Sequence, residues 1–451
     1  MTDDFRVEMI GHATLRIRSG GRTLLTDPWT IDPIGCNSAF HFPPLVHDAA
    51  TLAADTDAIY ISHIHPDHFN PPTLEAFPRH VPIYIGCYRR KRFRDEVRAL
   101  GFPVIEVPFQ TLVPVEGTDF EIAIVEHDYE ESAAYDSALF VRTPAFTLFE
   151  NNDCFLRPEK YRWVREHCRV DYGFLGYSPA SFFPICFEMD ETERGRLLRE
   201  AADRRYNDFL EAAAILRPAL TIPFASGARF LFPNALWKNV AFNSPSEAVH
   251  RLSALDLAGD VMGPGDRILA DGSLRRVAPV LEGEEFLQAI AAYGHSVADW
   301  LDQIAADEPP ARPDIVEQFR DYILGLWREL QDRLPGVRRH VIAYRLLGPE
   351  EKRFHFDFSR PMDEVFQWGE PERYDMRYTY PAGGLQERLD GKIDWDELHF
   401  TNDVSVHQVI YARDFYMMLR SEMLELDRGP AGAYAEPGAA SGSRSSSSRS
   451  S

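Results

Sequence analysis

Cysteine and positive charge are both scarce in this sequence. Its 451 residues include five Cys (Cys36, Cys87, Cys154, Cys168 and Cys186), scattered and without a Cys-x-x-Cys pair. An odd, dispersed set offers no disulfide framework and fits a reducing compartment, so a cytoplasmic location is expected. Lys and Arg total 48 against 70 Asp and Glu, for a formal net charge of −22. That balance argues against non-specific nucleic-acid binding, which runs on excess cations, and against docking on anionic membranes. It leaves room for a small anionic ligand, because a local basic cluster can outweigh the global sign. No run approaches the ~18 consecutive apolar residues of a transmembrane helix. The first residues, Met1-Thr2-Asp3-Asp4, lack the basic start of a signal peptide, so none is expected.

What is present is globular in composition, with 45% hydrophobic and 26% charged residues. At ~150 residues per domain the length suits two or three domains. Alternating apolar residues predict a β-ribbon over residues 5–26 that stops at Asp27-Pro28-Trp29, where Pro blocks continuation. Short apolar runs predict strands at 58–61, 81–85, 104–107, 121–125, 137–141, 146–149 and 220–224. A Glu/Arg/Ala/Leu-rich stretch predicts a long helix over 190–216, halted by Pro218. Helical periodicity returns at 284–305 and 314–334, and 338–402 reads as β-rich. Residues 429–451 are Gly/Ala/Pro and then Ser/Arg low complexity, expected to be a disordered tail.

One motif dominates. Ser62-His63-Ile64-His65-Pro66-Asp67-His68 places three His and one Asp within six positions, directly after a predicted strand. On an extended segment His63 and His65 point the same way, and a turn at Pro66 swings Asp67 and His68 to a second position nearby. Imidazole suits zinc or iron, and the carboxylate adds a hard ligand. Two adjacent ligand sets predict two divalent metal ions, Fe or Zn, ~3.5–4 Å apart. A solvated polar loop accounts less well for four ligand-type residues at this spacing.

His-x-His-x-Asp-His after a strand resembles the signature of the metallo-β-lactamase family. The resemblance implies an α/β chain: an αββα sandwich, expected over 1–280, then an α+β C-terminal domain over 281–425. It also implies that His63, His65 and His127 hold one metal. Asp67, His68 and Asp153 would hold the other and carry the catalysis, with Asp153 bridging. Asp27 matches a family position that braces the His loop. The plainer readings are a surface His127 beside Glu126 and Asp128, an Asx turn of Asn151 and Asn152 at Asp153, and a simple turn residue at Asp27.

Further segments resemble the metallo-β-lactamase part of the CMP-N-acetylneuraminate hydroxylase family. They are Gly11-His12-Ala13-Thr14-Leu15-Arg16, Thr26-Asp27-Pro28-Trp29, Pro72-Thr73-Leu74, Phe182-Phe183-Pro184, Pro223-Phe224-Ala225 and Ile393-Asp394-Trp395-Asp396-Glu397-Leu398. That resemblance implies an iron-dependent oxygenase acting on a small polar, amide- or sugar-like molecule. The family's Rieske domain, which needs Cys-x-His and Cys-x-x-His pairs, has no counterpart among the five Cys, so a separate electron donor is expected. The final His of hydrolytic relatives is also missing: Phe242-Asn243 stands in its place, and His250 reads as an ordinary helix residue. With zinc the same ligands would support hydrolysis of an ester, amide, lactone or phosphodiester. A non-catalytic, metal-stabilised ligand-binding scaffold is the rival outside enzymology.

For the small-molecule substrate, the basic run Arg89-Arg90-Lys91-Arg92-Phe93-Arg94 supplies Arg89, Arg90 and Arg92 as phosphate- or carboxylate-binding candidates. A solvated helix face is the alternative. Tyr177, in a Gly/Pro/aromatic loop, and Arg229, beside a Phe-Pro-rich loop, are further candidates. Cys154, next to Asp153, reads as a small buried Cys before it reads as a thiolate ligand.

Overall fold

In the computed structural model, residues 5–128, 136–154, 156–179, 181–307 and 310–420 are described. The Ser-rich tail expected to be disordered lies outside them. Strands Phe5–Gly11, Thr14–Ser19 and Arg22–Thr26 form the antiparallel ribbon that the alternation predicts. Parallel strands Ala58–Tyr60, Ile83–Gly86 and Val104–Val107 extend it on one side. Arg267–Leu269 and Leu274–Arg275 complete the other edge, giving eight strands among the described residues. A second sheet of six described strands runs Leu220–Phe224, Tyr172–Gly176, Thr147–Glu150, Ser137–Arg142, Glu121–Glu126, Val113–Pro114.

The two sheets face each other across Val7, Leu15, Leu24, Ile122, Leu139 and Phe174. Helices cover both outer faces. Phe93 and Val97 of Arg92–Ala99 pack on Ile59 and Ile83 of the first sheet. On the second sheet, Tyr161, Phe209 and Ala248 of three helices (Pro158–His167, Glu191–Leu216 and Pro245–Leu252) pack on Val125 and Phe149. Strands covered on both faces read as continuous apolar runs rather than alternating ones, which is why Ala58-Ile59-Tyr60 is wholly buried. This is the expected αββα sandwich. The long helix starts where Asp190 accepts from the Glu193 N–H and ends at Arg217, whose φ of 47° turns the chain into Pro218.

The helical stretch at 284–305 is two helices, Gly283–Ser296 and Ala298–Ala306, meeting at Val297. Both pack through Ile290 and Leu301 onto Phe40, Phe42 and Leu231 of the sandwich. Beyond them, helix Ile315–Leu330 lies on a five-stranded described sheet in the order Phe366–Trp368, Lys352–Asp357, Val341–Leu347, Met376–Pro381, Ser405–Gln408. Val316, Phe319 and Trp327 meet Phe354, Phe356 and Tyr378 there. The same core takes in Cys186 and Phe187. The buried Lys238 ammonium donates to the carbonyls of Thr401 (3.0 Å) and Asn402 (2.9 Å). The C-terminal unit is thereby keyed to one end of the sandwich. No helix among the described residues is long and apolar enough to cross a membrane.

Candidate metal centre

Strands Arg22–Thr26, Ala58–Tyr60, Glu121–Glu126, Thr147–Glu150 and Leu220–Phe224 run into Asp27, the His loop, His127, Asn151-Asn152-Asp153 and Ala225. Strand ends gathered at one edge of a sandwich are where ligand groups converge. Several of these residues hold a left-handed backbone without being Gly: His12 (φ 44°), Asp27 (37°), Asn152 (36°) and Ala225 (56°). Such conformations cost of order 1–3 kcal/mol each and collect at functional sites.

Asp27 is wholly buried and organises the His loop. Its Oδ1 accepts the Ser62 N–H at 2.7 Å, and its Oδ2 accepts the Ser62 hydroxyl at 2.7 Å and His68 Nδ1 at 2.8 Å. Ser62 Oγ has donated its hydrogen to Asp27, so it accepts from His63 Nδ1 at 2.9 Å. Both rings therefore donate through Nδ1, and both Nε2 atoms face inward, where each offers a lone pair once its proton is displaced. A carboxylate behind a ligand imidazole is the usual way a metal-binding tautomer is fixed.

Inward, His63 Nε2 lies 2.9 Å from His65 Nδ1. Asp153 Oδ1 stands 3.9 Å from His63 Nε2 and 3.6 Å from His68 Nε2. Asp67 Oδ2 is 3.7 Å from His68 Nε2. Asp153 Oδ1 and His65 Nε2 are buried with no hydrogen-bond partner. Converging lone pairs and an orphaned carboxylate oxygen are what a cation would satisfy, so this donor set fits divalent metal. His63, His65 and Asp153 group within metal-binding reach, as do His12, Asp67 and His68. Burial works against the charge on His68, but Asp153, Asp67 and Asp27 around it hold its pKa well above the ordinary value. Burial, with His68 next to it, pushes His63 well below. Asp153 is lowered: burial opposes this, and the imidazoles of His68 and His63 outweigh it.

His127 falls in an adjacent cluster. Its Nδ1 is 3.5 Å from Cys154 Sγ and 3.6 Å from Asp136, whose other oxygen is 3.5 Å from His63 Nδ1. Burial takes the His127 pKa down to about 4 and raises the Cys154 thiol well above its usual value. The Asx turn weighed for Asp153 is made by Asn152, whose side-chain oxygen accepts the Cys154 N–H at 3.1 Å and also the Asp153 N–H at 2.7 Å.

His12, in the segment 11–16 that resembles the hydroxylase family, also reaches these donors. Its Nε2 lies 3.1 Å from Asp67 Oδ2, and its Nδ1 accepts the Gly227 N–H at 3.0 Å. The strand-end turn at Gly11-His12 is the signal that could have found it.

A cavity of about 280 Å³ opens on these donors. The sandwich contributes His12, His65, Asp67 and Asp153 to its wall, and the C-terminal unit contributes Asp396, Glu397, Tyr416 and Arg420. Asp396 accepts from the Tyr416 hydroxyl at 2.9 Å and from Arg420 at 2.5 Å. Asp396 and Glu397 lie in the resembling segment 393–398, without a site role read for them, and the capping box of Asp394 and Glu397 that opens helix Trp395–His399 marks that turn. Tyr416 and Arg420 have no comparable signal in the sequence. A second cavity of about 370 Å³, walled mainly by apolar residues such as Met9, Phe42 and Phe224, lies behind His12 and Arg229. Tyr177 lines this second cavity and Arg229 lines both. The Arg89–Arg94 run goes elsewhere. Arg92 opens the outer helix and pairs with Glu96 at 2.7 Å, and among the described residues lining either cavity there is no Arg89, Arg90 or Arg92. His250 is exposed on helix Pro245–Leu252.

Residues 6–127 match the family model described as Beta-lactamase superfamily domain. Over that span the chain is similar to the superfamily domain. That domain supplies the His loop and Asp27, while Asp153 comes from beyond the matched span. The chain is 26% identical over 423 residues to a Mycolicibacterium smegmatis protein named for a Rieske 2Fe-2S iron-sulfur cluster, covering 86% of this chain and 79% of that protein. It is 26% identical over 228 residues to the cytidine monophosphate-N-acetylneuraminic acid hydroxylase of Danio rerio, covering 48% of this chain and only 37% of the hydroxylase. Among solved structures, CmlA, a diiron β-hydroxylase from Streptomyces venezuelae, is similar at 18% identity and a TM-score of 0.42, covering 61% of this chain and 55% of that one.

Proposed function

We propose that this chain is a dinuclear-metal oxygenase that hydroxylates a small polar, amide- or sugar-like substrate, with electrons from a separate donor. The observation that carries the reading is the pair of Nε2 lone pairs, on His63 and His68, that Asp27 and Ser62 turn towards the unpartnered Oδ1 of Asp153. His63 and His65, with His127 as a candidate third imidazole, would hold one ion. Asp67 and His68 would hold the other, with Asp153 serving both. Bound there, iron supplies dioxygen chemistry and zinc supplies Lewis-acid activation of water.

The chain's own residues supply the surroundings. Asp27 keeps the two rings in their ligand tautomer. His12 holds Asp67 from the cavity side. Asp396 and Glu397 wall the cavity from the C-terminal unit. The hydroxylase relatives support the oxidative branch. A Rieske centre takes two His and two Cys, and no Cys of this sequence begins a Cys-x-His or Cys-x-x-His pair. The proposal therefore takes its electrons from a centre outside these residues.

Elemental analysis of protein expressed with iron and zinc both available, followed by dioxygen uptake on adding a reductant, tests the reading. About two irons per chain with oxygen uptake supports it. Zinc without uptake assigns the site to hydrolysis instead.

A further inference from the structure

Arg229 is a buried cation to which the metal chemistry gives no role. It is 2% exposed, in a strand pair that joins Ala228–Arg229 to Phe40–His41. Its Nη1 donates to the carbonyls of Ser226 (2.9 Å) and Ala228 (2.6 Å). Its guanidinium carbon sits 4.4 Å from the ring centre of Phe242 and 5.2 Å from that of Phe286. The Tyr177 hydroxyl is its remaining polar neighbour. Nε is buried and has no partner.

No carboxylate among the described residues forms an ion pair with Arg229. By contrast, the buried Arg16 is held by Glu8 and Asp55, and the partly buried Arg420 by Asp396. Removing a guanidinium from water is costly unless an anion replaces the lost hydration. Carbonyl dipoles and aromatic faces offset part of that cost, and Phe242 and Phe286 leave the edge of the planar fork as its polar side. Arg229 borders both the metal cavity and the apolar cavity behind it.

We propose that Arg229 binds an oxyanion of the substrate, a carboxylate or a phosphate, through the edge of its guanidinium and so sets how the substrate faces the metal donors. Arg is suited to this because its fork matches the spacing of two oxygens on one anion. The word substrate rests on the proposed oxygenase reading; the anion site does not.

Calorimetric titration of inorganic phosphate, and separately of acetate, into the full chain and into R229Q and R229K tests this. Metal content is measured on each preparation, and the titrations are repeated on metal-stripped wild type, because bound metal also attracts anions. We expect at least one anion to bind wild type, with and without metal, and to lose about tenfold or more in affinity in R229Q. The anion that shows this dependence identifies the group as phosphate or carboxylate. Equal binding by wild type and R229Q, binding only when metal is present, or no binding of either anion overturns the proposal. If circular dichroism shows the variants unfolded, wild-type crystals soaked separately in arsenate and in a brominated carboxylate decide. An oxygen of either anion within hydrogen-bond distance of an Arg229 nitrogen, located by the anomalous signal, supports the site, and its absence in both soaks overturns it. Loss of the metal reading would show separately, in the elemental analysis.

Discussion

The backbone N–H of Gly227 donates to Nδ1 of His12 across 3.0 Å. A backbone amide can only donate, so Nδ1 carries the lone pair and the ring hydrogen sits on Nε2, facing Asp67 Oδ2 at 3.1 Å. That is opposite to His63 and His68, whose Nδ1 atoms donate. The contact is tight: a Cβ on Gly227 would lie 2.7 Å from the His12 backbone nitrogen, so Gly is needed for the approach. His12 thus groups with Asp67 and His68 in space but has the tautomer of a hydrogen-bond donor.

Replacing His12 by Ala is therefore expected to leave the metal complement intact and to lower activity about 10- to 100-fold through Asp67. Replacing His68 by Ala is expected to remove metal. Elemental analysis of both variants checks the contrast, and metal loss from the His12 variant would make His12 a ligand.

Asp27→Asn keeps the shape of the side chain but removes the negative charge behind His68 and Ser62. Metal affinity should fall about 10- to 100-fold while the fold persists. Competition against a chelator measures it. An unchanged affinity would mean that the rings keep their orientation without Asp27.

His399 gives the C-terminal unit a pH dependence of its own. It is 1% exposed, accepts the Tyr380 hydroxyl on Nε2 at 2.9 Å, and burial takes its pKa down to about 4. The unfolded chain, near 6.5, binds the proton more readily than the folded one. The stability from keeping His399 neutral is thus fully present above about 6.5 and is lost as pH falls towards 4, on the order of 3 kcal/mol in all. Urea unfolding of wild type and His399→Gln across that range should give curves that converge at low pH. Parallel curves would show that His399 does not titrate on unfolding.

The sequence showed the His loop plainly because its candidate ligands are local: one strand end and one Pro turn arrange His63, His65, Asp67 and His68. The resemblance to the metallo-β-lactamase family, applied at later strand ends, led to Asp27, His127 and Asp153. His12 was harder to see, since its tautomer is set by a residue 215 positions away. Asp396 and Arg420 were harder still, because they reach the cavity only when one unit packs on another. The Arg89–Arg94 run shows the opposite failure. Charge density was legible, but nothing local says that a helix will lie on the outer face of the sheet with Arg92 tied to Glu96. Periodicity found helix Glu191–Leu216 and merged two later helices, because Val297 interrupts them without Gly or Pro.

The central claim is that Asp153 serves two ions held by the His loop. Metal content of wild type and Asp153→Ala, each equilibrated with excess ferrous ion and then freed of unbound metal, tests it most directly. We predict about two ions per chain in wild type and less than one in the variant, because both positions lose the shared carboxylate. Two ions retained by Asp153→Ala, or none in wild type, would contradict it.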